Sequence, residues 1–186
     1  DFSPNRGFFR SDWVGLENFE YLMRLSEAKK VLVNTLIIAG GKLILNLLIP
    51  ITFAILLNEC RNLKYKKLVQ TSVYLPHFIS WVILANIISN IFGYDGVVNA
   101  LFGLFGAEPQ VLLGNPELFR GILIGTDVWK EFGYGAVIYL AALTGIDPNL
   151  YEAAAIDGAG RWQLMRHITL PSLAPTIVLM CTLSLG

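Results

Sequence analysis

The stretch Glu152–Pro171, EAAAIDGAGRWQLMRHITLP, is a polar, compact insert between apolar runs, and the rest of the chain is organised around it. It is too polar to cross a membrane. Asp147, just before it, is a good N-cap residue, and Pro148 suits the first position of a helix. The pattern therefore predicts a short helix from Pro148 to residue 155 or 156.

Two glycines, Gly158 and Gly160, are predicted to end this helix and to form an elbow. A second short helix is expected over Arg161–His167, and Pro171 is expected to start the next apolar segment, since a proline at the first helical position loses no hydrogen bond. The first helix has one nearly smooth side of small residues and one lone carboxylate, so it would fit a groove in a partner. The side chains expected to anchor it are Leu150, Tyr151 and Ile156.

The spacing of these residues resembles a known family, the membrane-spanning permease subunits of bacterial binding-protein-dependent ABC importers, in their carbohydrate-transporting branch. Glu152-Ala153-Ala154, three residues, Gly158, nine residues, Ile168, one residue and Leu170-Pro171 match the cytoplasmic EAA signature of that family. The triplet Asp157-Gly158-Ala159 and Thr169 match the sugar-type form, whereas Met165 and Gly160 depart from the commonest residues. The wider stretches YLPHFISW (Tyr74–Trp81) and IYLAALTGIDPNLYEAA (Ile138–Ala154) are most similar to the LplB-like polysaccharide permeases.

This resemblance implies an all-α fold: a polytopic membrane helical bundle of the ABC type I importer class, present here as a fragment that lacks one or more spans at each end. It implies a bacterial inner-membrane location and three kinds of partner: ABC ATPase subunits, a second permease subunit and an extracytoplasmic sugar-binding protein. ATP and Mg would be bound by the ATPase and not by this chain. The residues expected to couple to the ATPase are Glu152, Ala153, Ala154, Asp157, Gly158, Ile168, Leu170 and Pro171.

Within that set, the resemblance implies a division of labour. Glu152 would make the polar contact with a basic residue of the ATPase, because a desolvated charge pair at a docking surface fixes register. Gly158 would supply the elbow. Ile168, Leu170 and Pro171 would connect the lever to the next span, so that ATP-driven closure of the ATPase rocks the spanning helices between inward-open and outward-open states.

Composition independently indicates a membrane protein. The chain has 186 residues, of which 54% are hydrophobic and 15% charged, with a formal net charge of zero and a mean hydropathy of +0.56. Soluble domains usually have about 25% charged residues. There is no basic excess that would suggest nucleic acid as a partner. Cys60 in a basic loop and Cys181 in an apolar run are unlike sites, which argues against a structural disulfide.

Four apolar runs are predicted to span the membrane, at about 31–57, 71–92, 119–143 and 171–186, and the last of them is truncated. Residues 1–30 are predicted to be an extracytoplasmic segment with a short amphipathic helix over 17–25 and with Trp13, Phe19 and Tyr21 as interfacial anchors. A further short helix over 97–105 is expected to lie on the outer surface. Residues 147–170 would then be a loop between the last two spans.

The distribution of basic residues predicts that this loop is cytoplasmic. The side of the membrane with the 147–170 loop has Arg61, Lys64, Lys66, Lys67, Arg161 and Arg166, and the other side has Arg24, Lys29, Lys30 and Arg120. The modest excess agrees with the family, in which this loop must meet an ATPase.

A sugar path needs aromatic faces and hydrogen-bonding groups within the spans. The candidates are Asn86, Asn90, Asp127, Trp129, Tyr134 and Tyr139, although ordinary helix packing explains any single one of them as well. Asp127, Lys130 and Glu131 lie at helical spacing. They would either face a water-filled path or pair with one another, Asp127 with Lys130 or Glu131, or else the helix starts later and these charges lie at the interface. His77 is expected to be a hydrogen-bonding or interfacial residue without chemistry of its own.

Several functions are disfavoured by the sequence. Gly40-Gly41-Lys42 lacks the earlier glycine of a phosphate-binding loop, so ATP hydrolysis by this chain is not expected. No metal-spaced cluster or partnered nucleophile is present. The alternatives that remain are an ABC permease for another solute, a membrane-embedded enzyme using Asp127, Lys130 and Glu131 with His77, and, with least support, a structural scaffold. The sequence does not identify the saccharide.

Overall fold

The computed structural model describes residues 15–185, and within them the regular secondary structure is all helical, with no strand. The predicted anchor Trp13 lies outside the described residues. The helices, in chain order, are α1 (Glu17–Arg24), α2 (Ser26–Asn58), α3 (Leu63–Tyr74), α4 (Trp81–Phe92), α5 (Val97–Leu104), α6 (Pro116–Thr144), α7 (Pro148–Ile156), α8 (Arg161–Leu164) and α9 (Leu170–Leu185). The chain divides into two compact units, residues 1–39 and residues 40–186.

In the first unit, the predicted amphipathic helix over 17–25 is confirmed as α1. Its polar side has an ion pair one turn apart, between Arg24 and Glu20 at 3.6 Å. Phe19 and Tyr21 are exposed, in keeping with an anchoring role. The start of α2 carries a second exposed pair, in which the Lys30 Nζ lies 3.0 Å from the Glu27 Oε1.

The core of the second unit joins three helices. Buried apolar side chains from α2, α6 and α9 form one cluster, in which Ala54 and Leu173 have no exposed surface. Pro50 lies in the interior of α2 and is buried. A Cβ placed on Gly135 of α6 would lie 3.1 Å from the Pro50 ring, so the two helices approach each other closely at this point. The cluster is completed by Ile51, Leu57, Tyr139, Leu140 and Leu143.

Gly133 of α6 marks the tightest contact between α6 and α3. A Cβ at this position would collide with the backbone carbonyl of Val73 and would lie 3.0 Å from the Tyr74 nitrogen. Backbone atoms cannot move aside as a flexible side chain can, so this crossing requires glycine. Gly121 and Gly125, on the same helix, have open space where a Cβ would be.

The predicted span over 71–92 is interrupted in the structure. α3 ends at Tyr74, a tight 3₁₀ turn covers Leu75–Phe78, and Ile79 and Ser80 are extended before α4 begins at Trp81. Pro76 explains the break, because it has no N–H to donate and its ring clashes with the preceding helical turn. The Ser80 side chain then accepts a hydrogen bond from the Ile83 N–H and caps α4.

Three stretches within residues 15–185 are long and apolar enough to cross a membrane: Ser26–Asn58, Trp81–Leu104 and Arg161–Leu185. The second contains α4 and α5, which a turn at residues 93–96 separates. α6 has 29 residues and is about 44 Å long, which would also suffice. It contains Asp127, Lys130 and Glu131 near its middle, so its place as a span depends on how those charges are neutralised.

The expectation that Pro171 starts a separate segment is wrong, because Arg161–Leu185 is one continuous helical run. Between α8 and α9, residues Met165–Thr169 form a wide π turn, in which the Leu170 N–H donates to the Met165 carbonyl. In a regular α-helix, the Pro171 ring would clash with the His167 carbonyl. The wide turn lies directly before Pro171 and adjusts the backbone there, so the helix continues through the proline.

Candidate functional site

The first candidate site is the elbow loop, residues 147–170, whose first helix forms as predicted. The Asp147 side chain accepts a hydrogen bond from the Asn149 N–H at 2.9 Å, and Pro148 occupies the first turn of α7. The helix ends at Ile156, with Asp157 as the C-cap residue. Local chemistry at both ends therefore fixes the length of this lever.

The elbow is a Schellman motif centred on Gly158. The Gly158 N–H donates to the Ala155 carbonyl at 3.1 Å, and the Ala159 N–H donates to the Ala154 carbonyl at 2.9 Å. Gly158 has a φ of +81°, which side chains with a Cβ rarely adopt. Gly160 is different, because its φ is −76° and its N–H donates to the Gln163 Oε1 at 2.7 Å. Of the two predicted breaker glycines, only Gly158 needs the conformational freedom of glycine.

The outward surface of α7 presents Glu152 together with exposed apolar side chains. Ile156, expected to anchor the helix within this chain, is instead 86% exposed, and Leu150 is half-exposed. Ile156 lies in the last turn, just before the elbow, where no other helix within residues 15–185 covers it. Trp162, which follows the elbow on α8, is also exposed. Such a group of apolar side chains beside a carboxylate is suited to a protein partner.

α7 is connected to the following helical run by a partly buried hydrogen bond. The Tyr151 hydroxyl lies 3.0 Å from the Thr169 hydroxyl, and Thr169 is buried. Leu170 and Pro171, which were expected to form this connection, are exposed, and Ile168 is only partly buried. A cleft of 280 Å³ between α7 and the start of the run is lined by Asp157, Gly158, Ile168 and their neighbours.

The second candidate site is the polar cluster, made of Lys42 and Asn46 on α2, His77 in the turn before α4, and Asp127, Lys130 and Glu131 on α6. The Lys42 Nζ lies 2.8 Å from Asp127 Oδ1, and the Asn46 Nδ2 donates to Asp127 Oδ2 at 2.8 Å. The expected pairing of Asp127 with Lys130 or Glu131 is therefore wrong, since α2 supplies its partners.

Lys130 and Glu131 turn instead toward the break between α3 and α4. The Lys130 Nζ donates to the His77 carbonyl at 2.9 Å and to Glu131 Oε1 at 2.8 Å, and Glu131 Oε2 lies 2.8 Å from His77 Nδ1. The carbonyl freed by the break thus gains a charged donor. His77 also stacks on Tyr134, with ring centroids 4.5 Å apart. His77 has no ionisable neighbour in its own apolar run, but Glu131 of α6 lies beside it.

Trp81 lies beside both lysines of the cluster. Its ring centroid is 5.1 Å from the Lys130 Nζ and 5.9 Å from the Lys42 Nζ, which is within the range of cation–π attraction. The residue as a whole is nevertheless 47% exposed. Trp81 therefore offers free aromatic surface next to two ammonium groups.

The charges lie near the middle of their helices. Lys42 is halfway along α2, and α6 begins at Pro116, about three turns before Asp127. The expectation that α6 starts later, after these charges, is therefore wrong. Of the cluster, Asp127 and Lys130 are buried, and Lys42, His77 and Glu131 are partly exposed.

The other proposed path residues lie in different surroundings. Asn86 and Asn90 are on the exposed surface of α4, where the Asn86 amide donates to the Val82 carbonyl. Trp129 and Tyr134 are about half-exposed. Tyr139 is fully buried between α2, α6 and α9, so it is a core residue and not a path residue.

Sequence reasoning missed Asn46, Trp81 and the Tyr151–Thr169 bond as parts of these sites, and it gave Lys42 no role. The signal for Lys42 was present, because it is the single charge in the apolar run over 31–57. Within residues 15–185, no group of three His, Cys, Asp or Glu side chains is arranged to hold a metal ion.

Comparison with known proteins gives consistent matches. Residues 47–186 match the sequence model of the family described as binding-protein-dependent transport system inner membrane component. The whole chain is 43% identical to the polygalacturonan/rhamnogalacturonan transport system permease protein YteP of Bacillus subtilis (strain 168), covering 58% of it. It is 40% identical to protein LplB of the same organism, covering 59% of that protein.

The fold is similar to a solved structure as well. It matches a chain in the crystal structure of a bacterial alginate ABC transporter in complex with an alginate pentasaccharide-bound periplasmic protein, with a TM-score of 0.86 and 40% identity. The match covers 93% of this chain and 60% of that one. The present chain thus spans about three-fifths of the length of these relatives.

Proposed function

Because the chain belongs to the family of binding-protein-dependent transport system inner membrane components, we propose that it is part of the permease subunit of an ATP-driven importer of oligosaccharides or polysaccharides. Partner ATPase subunits would bind ATP and Mg and supply the energy. A second permease subunit would complete the path, and an extracytoplasmic binding protein would deliver the saccharide. The chain itself contributes the path through the lipid and the lever that moves it.

The observation that carries this proposal is the geometry of the elbow loop. α7 has fixed ends, presents Glu152, Leu150 and Ile156 outward, and is connected to the run Arg161–Leu185 by the Tyr151–Thr169 bond. A force applied to α7 would therefore reach a helix long enough to span. In alternating access, such a rigid connection favours one of two packings of the spanning helices.

The carbohydrate class of the cargo is supported by the relatives. YteP is named for polygalacturonan and rhamnogalacturonan transport, and the structural neighbour was crystallised with an alginate-loaded periplasmic protein. Half-exposed aromatic rings near the break between α3 and α4, Trp81 and Tyr134, are of the kind that pack against sugar rings.

The test is assembly followed by activity. The full-length subunit is co-expressed with its second permease and ATPase subunits and purified, and ATP hydrolysis is measured in membranes with saccharide-loaded binding protein. We expect the wild type to assemble and to respond to the saccharide, and Glu152→Arg to lose both, because the reversed charge meets the basic residue of the ATPase. The matched control is Lys30→Glu, which reverses an exposed charge at the start of α2, distant in sequence from α7. It should assemble normally. An unaltered Glu152→Arg complex would contradict the coupling role of α7.

A further inference from the structure

The polar cluster has spare hydrogen-bond donors, and each oxygen of its two carboxylates already has a partner. Both oxygens of Asp127 accept bonds, from Lys42 and Asn46, and both oxygens of Glu131 are in contact with cluster partners, Lys130 and His77. The Asn46 Oδ1 has no described partner but is fully enclosed, so a ligand cannot reach it. A lysine ammonium has three N–H groups, and the Lys42 ammonium uses one of them in its bond to Asp127.

Accessibility points to the same atoms. The Lys42 side chain is 32% exposed, whereas those of Asp127 and Lys130 are only 12% and 6% exposed. Asp127 thus holds Lys42 in place from the buried side and leaves the outer part of the ammonium group open. The Glu131 side chain is as exposed as that of Lys42, at 31%, but both of its oxygens already contact Lys130 and His77. Lys42 is therefore the exposed charged group of the cluster that keeps spare N–H donors for a ligand.

The exposed ring of Trp81 lies beside this donor, with its centroid 5.9 Å from the Lys42 Nζ. A sugar ring packed on the indole would place an acidic substituent within reach of the ammonium group, where a charge-assisted hydrogen bond is possible. The site adjoins the broken helix between α3 and α4, and in transporters discontinuous helices commonly form part of the place where cargo binds.

We propose that Trp81 and Lys42 form a subsite for a carboxylate-bearing sugar unit, a uronate, in the transport path. The inference rests on the proposed function, which supplies the transport path, and it adds a preference for negatively charged sugar units. Trp81 packs against the sugar ring, Lys42 binds the carboxylate, and Asp127 positions Lys42. The buried Lys130 adds positive potential at 5.1 Å from the same indole centroid.

The test compares two ligands that differ only in charge. The galacturonate trimer and its fully methyl-esterified form have the same sugar ring and stereochemistry, but only the first carries carboxylates. Equilibrium binding of each is measured by calorimetry on the complete membrane complex in lipid nanodiscs, without the binding protein. Stimulated ATP hydrolysis with the loaded binding protein is measured on the same preparation.

The informative variant is the double substitution Lys42→Gln with Asp127→Asn, which removes both charges together and leaves no unpaired ion. We expect it to weaken binding of the acid about tenfold and to change binding of the ester less than about twofold, because one charge-assisted contact is lost. Trp81→Ala should weaken the binding of both the acid and the ester. The matched control is Lys30→Gln with Glu27→Gln, an exposed pair of the same kind, and it should change neither.

Three results would overturn the subsite: equal losses of acid and ester in the double variant, no binding of either ligand by the wild type, or displacement of the acid by inorganic phosphate at equal concentration. The two readouts separate this inference from the importer proposal. Binding that discriminates acid from ester, without any stimulated ATP hydrolysis, supports the subsite and contradicts the importer. Stimulated ATP hydrolysis, together with a double variant that weakens binding of the acid and of the ester equally, supports the importer and contradicts the subsite.

Discussion

The elbow loop and the polar cluster are built in opposite ways. In the elbow loop the caps at both ends of α7 form between residues at most five apart, such as Ala159 and Ala154. In the polar cluster, the bonds join residues 54 and 85 positions apart, from His77 to Glu131 and from Lys42 to Asp127. The first region is determined by local sequence, and the second exists only when separate helices pack together. Mutations should therefore have local effects in one region and global effects in the other.

The strongest test of this difference is removal of Asp127. Asp127→Ala leaves the Lys42 ammonium without its ion partner in a largely apolar helix bundle. We expect a loss of about 2–4 kcal/mol in the free energy of unfolding, which is below the value of about 3–5 kcal/mol for a fully buried pair because the Lys42 side chain is 32% exposed and can be partly solvated. The measurement is the thermal unfolding midpoint of the full-length complex in detergent.

Two companion variants make this result specific. Glu20→Ala removes the exposed pair with Arg24 and should change the midpoint little, since exposed pairs contribute about 0–1 kcal/mol. The double variant Lys42→Met with Asp127→Leu should recover most of the lost stability, because apolar side chains can replace a buried pair. If Asp127→Ala unfolds at the wild-type temperature, the cluster does not hold α2 to α6.

A second test uses the glycines of α6 to show that packing between helices is also global. Gly133→Ala introduces a Cβ against the Val73 carbonyl, and we expect a loss of about 1–3 kcal/mol from overpacking. Gly125→Ala, on the same helix, meets open space and should be neutral or slightly stabilising. The measurement is the unfolding midpoint of each variant, and we expect the lower value for Gly133→Ala. Equal midpoints would mean that α3 and α6 do not cross as described.

The elbow loop should respond differently, with stability nearly kept and coupling lost. Gly158→Ala forces an alanine into a left-handed conformation at a cost of about 1–2 kcal/mol, which the short motif can relieve by reorienting α7. We expect ATP hydrolysis that no longer responds to saccharide, in a complex that still assembles. Gly160→Ala is the matched control, because its φ is ordinary and the nearest atom to a Cβ is 3.7 Å away. Normal uptake by Gly158→Ala would remove the elbow from the mechanism.

The smallest effect is expected for Tyr151→Phe, which deletes only the hydroxyl bonded to Thr169. The loss in stability should be about 0.5–1.5 kcal/mol, typical of one hydrogen bond. If this bond transmits force from α7, uptake per ATP hydrolysed should fall while hydrolysis itself continues. A variant that keeps the wild-type ratio would show that the connection between α7 and the run Arg161–Leu185 depends on other contacts.

The same contrast explains which parts of the structure the sequence could predict. The bounds of α7 and the turn at Gly158 followed from Asp147, Pro148 and a glycine at the right place, because caps and breakers act on their neighbours. Pro76 lay near the start of a run that was predicted as one span, where the proline could lie in the first turn or introduce a kink. A complete break was not predicted, because apolarity dominated the prediction. Asn99 shows the limit of such prediction clearly. Its side chain donates to the carbonyls of Gly93, Tyr94 and Gln110, and only the fold reveals that this residue of an apolar helix organises the loop around it.

For the sites, the residue types were foreseen better than their partners. Asp127, Lys130 and Glu131 were expected to be neutralised because charges are costly in lipid. Their spacing on α6 favoured pairing along the helix, but which other helix faces them depends on packing that no local pattern encodes. Tyr139 was chosen as a polar candidate in a span, and its complete burial reflects the close approach of α2 at Pro50 and Gly135, which is likewise a property of the assembled bundle.

The wide turn at Met165–Thr169 has a consequence for the history of the chain. Such a turn accommodates one residue more than a regular helix does, while the helical faces before and after it keep their phase. A lineage could therefore gain or lose a single residue between Leu164 and Leu170 without turning the core residue Leu173 away from its neighbours. The turn also relieves the clash that Pro171 would make with the His167 carbonyl in a regular helix, so we expect the extra residue and the proline to be inherited, or lost, together in related permeases.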